Sequence, residues 1–375
     1  MSHLEKPSSS DSSELSKKSE ASISDLYQES IRKKIFLFGI LLLCLLILIF
    51  YAVAVGHYDM SIPVIIKTIL GFDAGSGNIV VWNIRMPRIV AAIVTGCALG
   101  LSGVVMQSLL KNPLASPSTL GISHGAAFGA AFSIVFLGAG VTHGSSIRIA
   151  GSESLILKNV YMVTLCAFLG AMIATIVILL LAKLKKMSAE SIILAGVAMS
   201  SLFTSGTILV QYFASEVEIA SVVFWTFGDV ARSNWLEIGF LSIITFLVIV
   251  YFVLVRWDLN AVSAGEDTAR SLGVNVDRFR LYGMLLASLV AALATALHGV
   301  IAFLGLLAPH IGRRLIGSDH RLLIPYSCLI GSLLLLIADT AGRLIVGSGT
   351  LPVGVLTSFM GVPLFLYLLI RGLRR

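Results

Sequence analysis

The chain is poor in charge: only 13% of its 375 residues are Asp, Glu, Lys or Arg, against 57% apolar, a balance far outside that of soluble globular domains. Water is therefore not its main solvent. It also lacks a phosphate-binding loop, since no G-x-x-x-x-G-K-[ST] occurs and no Lys follows a Gly, which excludes cradling ATP in a P-loop. Carboxylates are nearly absent from the apolar stretches, with Asp339 the main exception and Glu190 at an end. Ion-coupled carriers use buried acids as relays or ion ligands, so a secondary transporter is disfavoured. The cysteines, Cys44, Cys97, Cys166 and Cys328, lie in apolar stretches without ligand spacing and read as small packed hydrophobes. His124, His298 and His310 have no His, Cys or carboxylate partner at ligand spacing, so packed or helix-end histidines are expected and no metal site is. No nucleophile stands with its base, and no catalytic residue is assigned.

What is present is a succession of apolar runs near the ~20 residues needed to cross ~30 Å of hydrocarbon. Residues 1–34 are rich in Ser, Lys and Glu and are expected to be a disordered, solvated cytoplasmic tail rather than a secretory signal. The remainder, 35–375, reads as one polytopic domain, an all-α membrane protein with ten spans at about 35–55, 87–110, 118–138, 159–182, 190–212, 236–255, 281–300, 302–317, 323–345 and 352–371. The eighth is short and polar for a span. An even count puts both termini on one side, and 20 of the 27 basic residues then fall on that side, leaving Lys67, Arg85, Arg88, Arg148, Lys158, Arg232 and Arg343 opposite. The bias predicts both ends in the cytoplasm. The net charge of +7 is accounted for by topology and anionic lipid, without a nucleic-acid partner.

Three regions stand out. The connection 256–280 is the only charged link between spans long enough to fold; Glu266, Asp267 and Arg270 are at helical spacing, bounded by Ala264-Gly265 and Leu272-Gly273. A short surface helix is expected there, either a docking element or a plain connector. Gly96, Gly100 and Gly103 form a small-residue stripe in the second span, an ordinary device for close helix packing in membranes. The segment Asn112-Pro113-Leu114-Ala115-Ser116-Pro117 cannot continue a helix and marks a broken turn, beside a wet cavity or simply a tight loop. Arg85 and Arg88 flank Met86-Pro87 at the outer mouth of the second span and Arg343 lies near the outer end of the ninth; such arginines are snorkelling anchors or functional groups.

Several long segments, in this order, resemble the FecCD-type permeases, the BtuC-like membrane subunits of type II ABC importers for iron-siderophores, haem and vitamin B12. They are RMPRIVAAIVTGCALGLSGVVMQSLLKNPLASPSTLGISHGAAFGA (85–130), LAGVAMSSLFTS (194–205), FWTFGDVARSNW (224–235), GEDTARSLGVNVDRFR (265–280), GVIAFLGLLAPHIGRRLIGSDHRLLIP (299–325) and LPVGVLTSFMGVPLFLYLL (351–369). The resemblance implies ten helices with inverted repeats, which supplies the doubtful eighth span.

It also implies roles. Arg85, Arg88 and Arg343 match arginines that receive glutamates of an extracytoplasmic substrate-binding protein. Gly265, Glu266, Ala269, Arg270, Leu272 and Gly273 match the coupling segment that sits on a separate ABC ATPase. Ser200, Ser201, Thr204 and Ser205 would gate or line a path between this chain and a second permease subunit, identical or similar, with Met106, Gln107 and Asn112 as weaker candidates; helix packing is the competing reading for all seven. No cofactor binds directly, ATP being used by the partner ATPase. The expected function is the permease of an importer in a bacterial cytoplasmic (inner) membrane, carrying an iron chelate, with haem or cobalamin, or an ion-coupled carrier, as the alternatives.

Overall fold

The computed structural model describes residues 9–56, 62–69, 72, 76–139, 153–184, 187–345 and 351–372, and among the described residues every regular element is helical. In chain order these are α1 (Ser9–Ala54), α2 (Ile62–Ile69), α3 (Ser76–Ile79), a π-helical turn (Val80–Arg85), α4 (Met86–Leu109), α5 (Ile122–Phe136), α6 (Glu153–Lys183), α7 (Ala189–Tyr212) and α8 (Glu216–Thr226). A 3-10 turn (Val230–Arg232) leads to α9 (Trp235–Leu254), α10 (Arg256–Ala264), α11 (Glu266–Ser271), α12 (Val276–His298), α13 (Leu304–Ile316), α14 (His320–Ile345) and α15 (Val353–Gly372). Two compact units divide the chain, Met1–Leu46 and Ile47–Arg375; the first holds the upstream part of α1, with Glu29, Lys33 and Gly39, and the rest of the geometry below belongs to the second.

Among the described residues, seven helices are long and apolar enough to cross a membrane: Tyr27–Ala54, Gly77–Leu109, Tyr161–Lys183, Ala189–Tyr212, Trp235–Leu254, Val276–His298 and His320–Ile345. Length alone thus gives fewer than the ten expected spans. The third, eighth and tenth coincide with the shorter apolar helices α5, α13 and the Val353–Tyr367 part of α15. At 13 residues α13 reaches only about 20 Å, short of the ~30 Å hydrocarbon core. Local chemistry explains the shortening. Pro113 and Pro117 interrupt the chain before α5, and residues 299–303 leave the helical path before α13.

The segment read as a disordered tail is also different, because α1 is already helical from Ser9; residues 1–8 lie outside those described. No Pro or Gly occurs between Pro7 and Gly39, and Lys33 pairs with Glu29 one turn back at 2.7 Å. Extending an established helix requires no new nucleus, so a polar sequence can continue it.

Helix starts are written locally. Ser188 caps α7 by accepting from Ser191 N, and Asn275 caps α12 by accepting from Arg278 N. Asn234 with Glu237 and Ser215 with Glu218 form capping boxes at α9 and α8. The last of these opens a helix that hydropathy did not anticipate. The expected short helix after Gly265 is present as α11, and Gly273 at φ +86° ends it in the left-handed region that side chains avoid.

The core is organised around α4. β-carbons placed on Gly96, Gly100 and Gly103 would overlap the carbonyl oxygens of Gly331 and Ser327 in α14 and of Gly305 in α13, so backbone lies directly on backbone along that stripe. Ser102 Oγ donates to Ala287 O of α12 at 2.8 Å, and Ser332 Oγ of α14 donates to Ile93 O at 2.7 Å. Hydrogen bonds join the segments around the irregular stretch 299–303. Asp229 N donates to His298 O at 2.7 Å, while Val353 N and Gly354 N donate to Gly228 O and Phe227 O, both at 3.1 Å.

Replacing Gly103 by Leu must force α4 and α13 apart. We expect a loss of at least ~1–3 kcal/mol, the usual cost of overpacking, read as a lower unfolding midpoint in detergent. Gly39→Ala, at a position with nothing within 4 Å, is expected to leave the midpoint unchanged.

Candidate functional site

At the amino end of α4 the sequence places arginines where helix ends converge. Arg88 Nε donates to Asp339 Oδ1 of α14 at 2.7 Å, and Arg343, one turn further along α14, stands 3.3 Å from Asp339 Oδ2. Arg343 also donates to Ala52 O at 3.1 Å, Val55 O at 3.2 Å and Thr340 Oγ1 at 3.3 Å. Arg85 donates to Val53 O and Ala54 O in the same final turn of α1. The three arginines expected at a docking mouth are therefore brought together, but they are only 4%, 9% and 8% exposed for Arg85, Arg88 and Arg343, and Asp339 is fully buried. Interior partners, rather than solvent, hold them as the chain stands. Arg88 Nη2 and Arg343 Nε have no hydrogen-bond partner among the described residues, although Arg343 Nε lies 3.3 Å from Asp339 Oδ2. Asp339, prominent in the sequence as a lone interior acid, proves to be the counter-charge of this group.

The other charged centre lies at the opposite end of α4. Arg280, in the second turn of α12, is 1% exposed and donates to Leu109 O at 3.0 Å, Met187 O at 2.5 Å and Glu266 Oε1 at 2.6 Å. Glu266 opens α11, and this hydrogen bond from Arg280 holds its carboxyl below the usual carboxylate range, against a smaller opposing effect of burial. Of the other coupling candidates, Arg270, Leu272 and Gly273 are exposed, Leu272 at 68%. Gly265 is half-buried and Ala269 fully buried, so in the isolated chain Ala269 packs into the interior. Beside it on α11, Asp267 and Thr268 are exposed. Sequence reasoning did not single out Arg280; the available signal was a charge just inside the apolar run of α12.

The path candidates separate into two groups. On α7, Ser201, Thr204 and Ser205 are exposed and Ser200 half-buried. Ser200 Oγ donates to Gly196 O and Thr204 Oγ1 to Ser200 O, both at 2.8 Å, so these hydroxyls are satisfied within the helix. Met106 and Gln107 are buried inside the chain. Gln107 accepts from Arg313 and reaches Gly305 O and Leu306 O at 3.4 Å, which makes it a tie between α4 and α13. Asn112 accepts from Leu114 N at 2.9 Å and shapes the proline turn. His298 is packed as expected, within reach of Thr95 Oγ1 at 3.0 Å and Ser233 Oγ at 2.9 Å.

Removing Asp339 strands buried guanidinium groups. Asp339→Ala is expected to cost about 3–5 kcal/mol, as when one member of a buried pair is lost, and Arg88→Met in that background to recover part of it, both read as unfolding midpoints. For Glu266 the sign follows from its depressed pKa: the ion pair contributes fully above the unfolded carboxylate value of ~4.3 and is lost as pH falls through the lower folded value. A probe on Thr268 should therefore report unchanged α11 mobility from pH 8 to 5, and release only in stronger acid.

The chain matches the model of the FecCD transport family over residues 44–371. It is 51% identical over 347 residues to a Methanocaldococcus jannaschii protein assigned as an ABC transporter permease, covering 92% of this chain and 97% of that one. It is 33% identical over 328 residues to the vitamin B12 import system permease protein BtuC of Salmonella typhi, covering 84% and 95%. A solved chain in an inward-facing conformation, assigned to a metal-chelate type ABC transporter, superposes with a TM-score of 0.76 at 30% identity over 90% of this chain and 99% of that one. A multi-helix membrane chain without a P-loop, matched to permeases over nearly its whole length, is thereby placed: it belongs to the FecCD transport family and is a BtuC-type ABC importer permease.

Proposed function

We propose that this permease moves an iron chelate of the siderophore class across the cytoplasmic membrane, with ten spans, both termini in the cytoplasm, and a second permease subunit completing the path. A loaded extracytoplasmic binding protein docks, the ligand enters between the subunits, and ATP binding and hydrolysis in a separate ATPase pair move α11 so that the gates exchange. The observation that carries this reading is α11 itself, a short helix with Asp267, Thr268, Arg270 and Leu272 exposed and Glu266 joined to the buried Arg280.

Docking on Arg85, Arg88 and Arg343 is compatible with their burial. Three positive charges face one negative, so the cluster retains a surplus that attracts acidic partners from a distance. Arg88 Nη2, buried and without a hydrogen-bond partner among the described residues, is a donor for a carboxylate once docking uncovers it. On α7, hydroxyls already bonded to backbone suit a wall that large chelates slide past. The metal-chelate assignment of the solved relative favours an iron chelate; the vitamin B12 permeases among the relatives support cobalamin as the second reading.

The test is reconstitution of the permease with its ATPase in liposomes, challenged with binding proteins loaded with ferric siderophore, haem or cobalamin. We expect ferric siderophore to give the largest stimulation of ATP hydrolysis together with uptake. Stimulation by loaded cobalamin alone would transfer the assignment to the second reading, and uptake that follows an ion gradient without ATP would overturn the importer reading.

A further inference from the structure

We infer that Arg280 is the positioning residue through which displacement of α11 reaches α4 and α7 together. This rests on the reading of α11 as the ATPase contact. The three acceptors of the guanidinium belong to three separate elements: Glu266 is the first residue of α11, Leu109 the last of α4, and Met187 immediately precedes the cap of α7. Met187 has φ +52°, a region side-chain-bearing residues seldom occupy, and this backbone turns its carbonyl onto Arg280 rather than into helix α7. Leu109 O is one of the four carbonyls a helix end leaves without an internal partner.

Other ties between α11 and the body are weak. Arg270 meets Asp277 at 3.5 Å with both side chains about half exposed, a pair of the kind that contributes little. Lys111 and Arg270 also act on the Glu266 carboxylate, but both are exposed. The Ala269 side chain is apolar, and its backbone bonds run only to Gly265 O and Val274 N within the same connection. A push on α11 therefore either carries Arg280 with it, shifting the end of α4 and the start of α7, or leaves a buried cation without its counter-charge. A lysine keeps the charge but cannot reproduce the planar fork that addresses three acceptors at once.

The decisive experiment compares wild type, Arg280→Lys and Glu266→Gln in the full transporter with ATPase and binding protein. ATP consumed per ligand imported is expected to rise about tenfold in Arg280→Lys, within the usual range of coupling between sites, and Glu266→Gln to behave alike. The double variant should be no worse than the more affected single one, as for partners in one interaction. Uptake and hydrolysis that fall in proportion, or effects of the two variants that simply add, would overturn the inference. A second measurement needs no ATPase: the distance distribution between probes carried by unnatural side chains at Thr268 and Leu194 in the purified full chain. It should broaden in Arg280→Lys, or in Glu266→Gln if the lysine variant does not fold, and a distribution equal to wild type overturns the inference. Absence of ATP-driven uptake in the wild-type complex would instead sink the importer reading, while the distance measurement still decides the role of Arg280.

Discussion

Contact between the backbone of α4 and those of α13 and α14 is the constraint on which the other features depend. Only because Gly96, Gly100 and Gly103 carry no β-carbon can the carbonyls of Gly331, Ser327 and Gly305 lie against that helix. This approach brings Asp339 of α14 within reach of Arg88 at one end and Arg313 of α13 within reach of Gln107 at the other. With 24 residues, α4 is about 36 Å long, so a single rod joins both charged centres. Helix association in lipid has little hydrophobic drive and relies on such packing and on interhelical hydrogen bonds. Ser102 and Ser332 provide two of those bonds across the same surface.

Arginine is used here largely to finish helices. Arg85 and Arg343 take carbonyls in the last turn of α1, Arg280 takes the final carbonyl of α4, and Arg232 takes Phe224 O and Trp225 O at the end of α8. Arg256 reaches Val253 O near the end of α9 at 2.7 Å. Carbonyls at a helix carboxyl end are both unpaired and at the negative pole of the helix dipole. Hydrogen bonds to a charged donor contribute more than neutral ones, which offsets part of the desolvation of a guanidinium. The same residue type thus closes helix ends and supplies the positive charge of both centres.

Much of this was legible in the sequence, and what was not has identifiable physical causes. Apolar run length located α1, α4, α6, α7, α9, α12 and α14, and the glycine pair flanking Glu266–Ser271 marked α11. Run length also anticipated α5 and α15 but left α13 doubtful, because the break at residues 299–303 shortens a helix that tertiary contacts support. It also missed α8, although Ser215 and Glu218 spell a capping box at its start. Arg85, Arg88 and Arg343 were recognisable as a group, yet Asp339, the partner shared by Arg88 and Arg343, lies 251 residues from Arg88, a separation no local pattern spans. The burial of Met106, Gln107 and Ala269 was not legible for a related reason: helical spacing gives the face of a residue only relative to its own helix, and which face meets another helix is decided in three dimensions. Arg280 escaped notice because its acceptors are mostly backbone carbonyls, which carry no side-chain signature.

The irregular backbone before α13 has a consequence for how this chain can change. His298, Phe227 and Gly228 accept from Asp229, Gly354 and Val353 respectively, so three stretches remote from one another along the polypeptide form one hydrogen-bonded knot. Non-helical peptide groups near a bilayer must be satisfied by protein. Lengthening any one stretch by a single residue would therefore shift its donors or acceptors out of step with the other two, and insertions there would survive only when matched elsewhere in the knot.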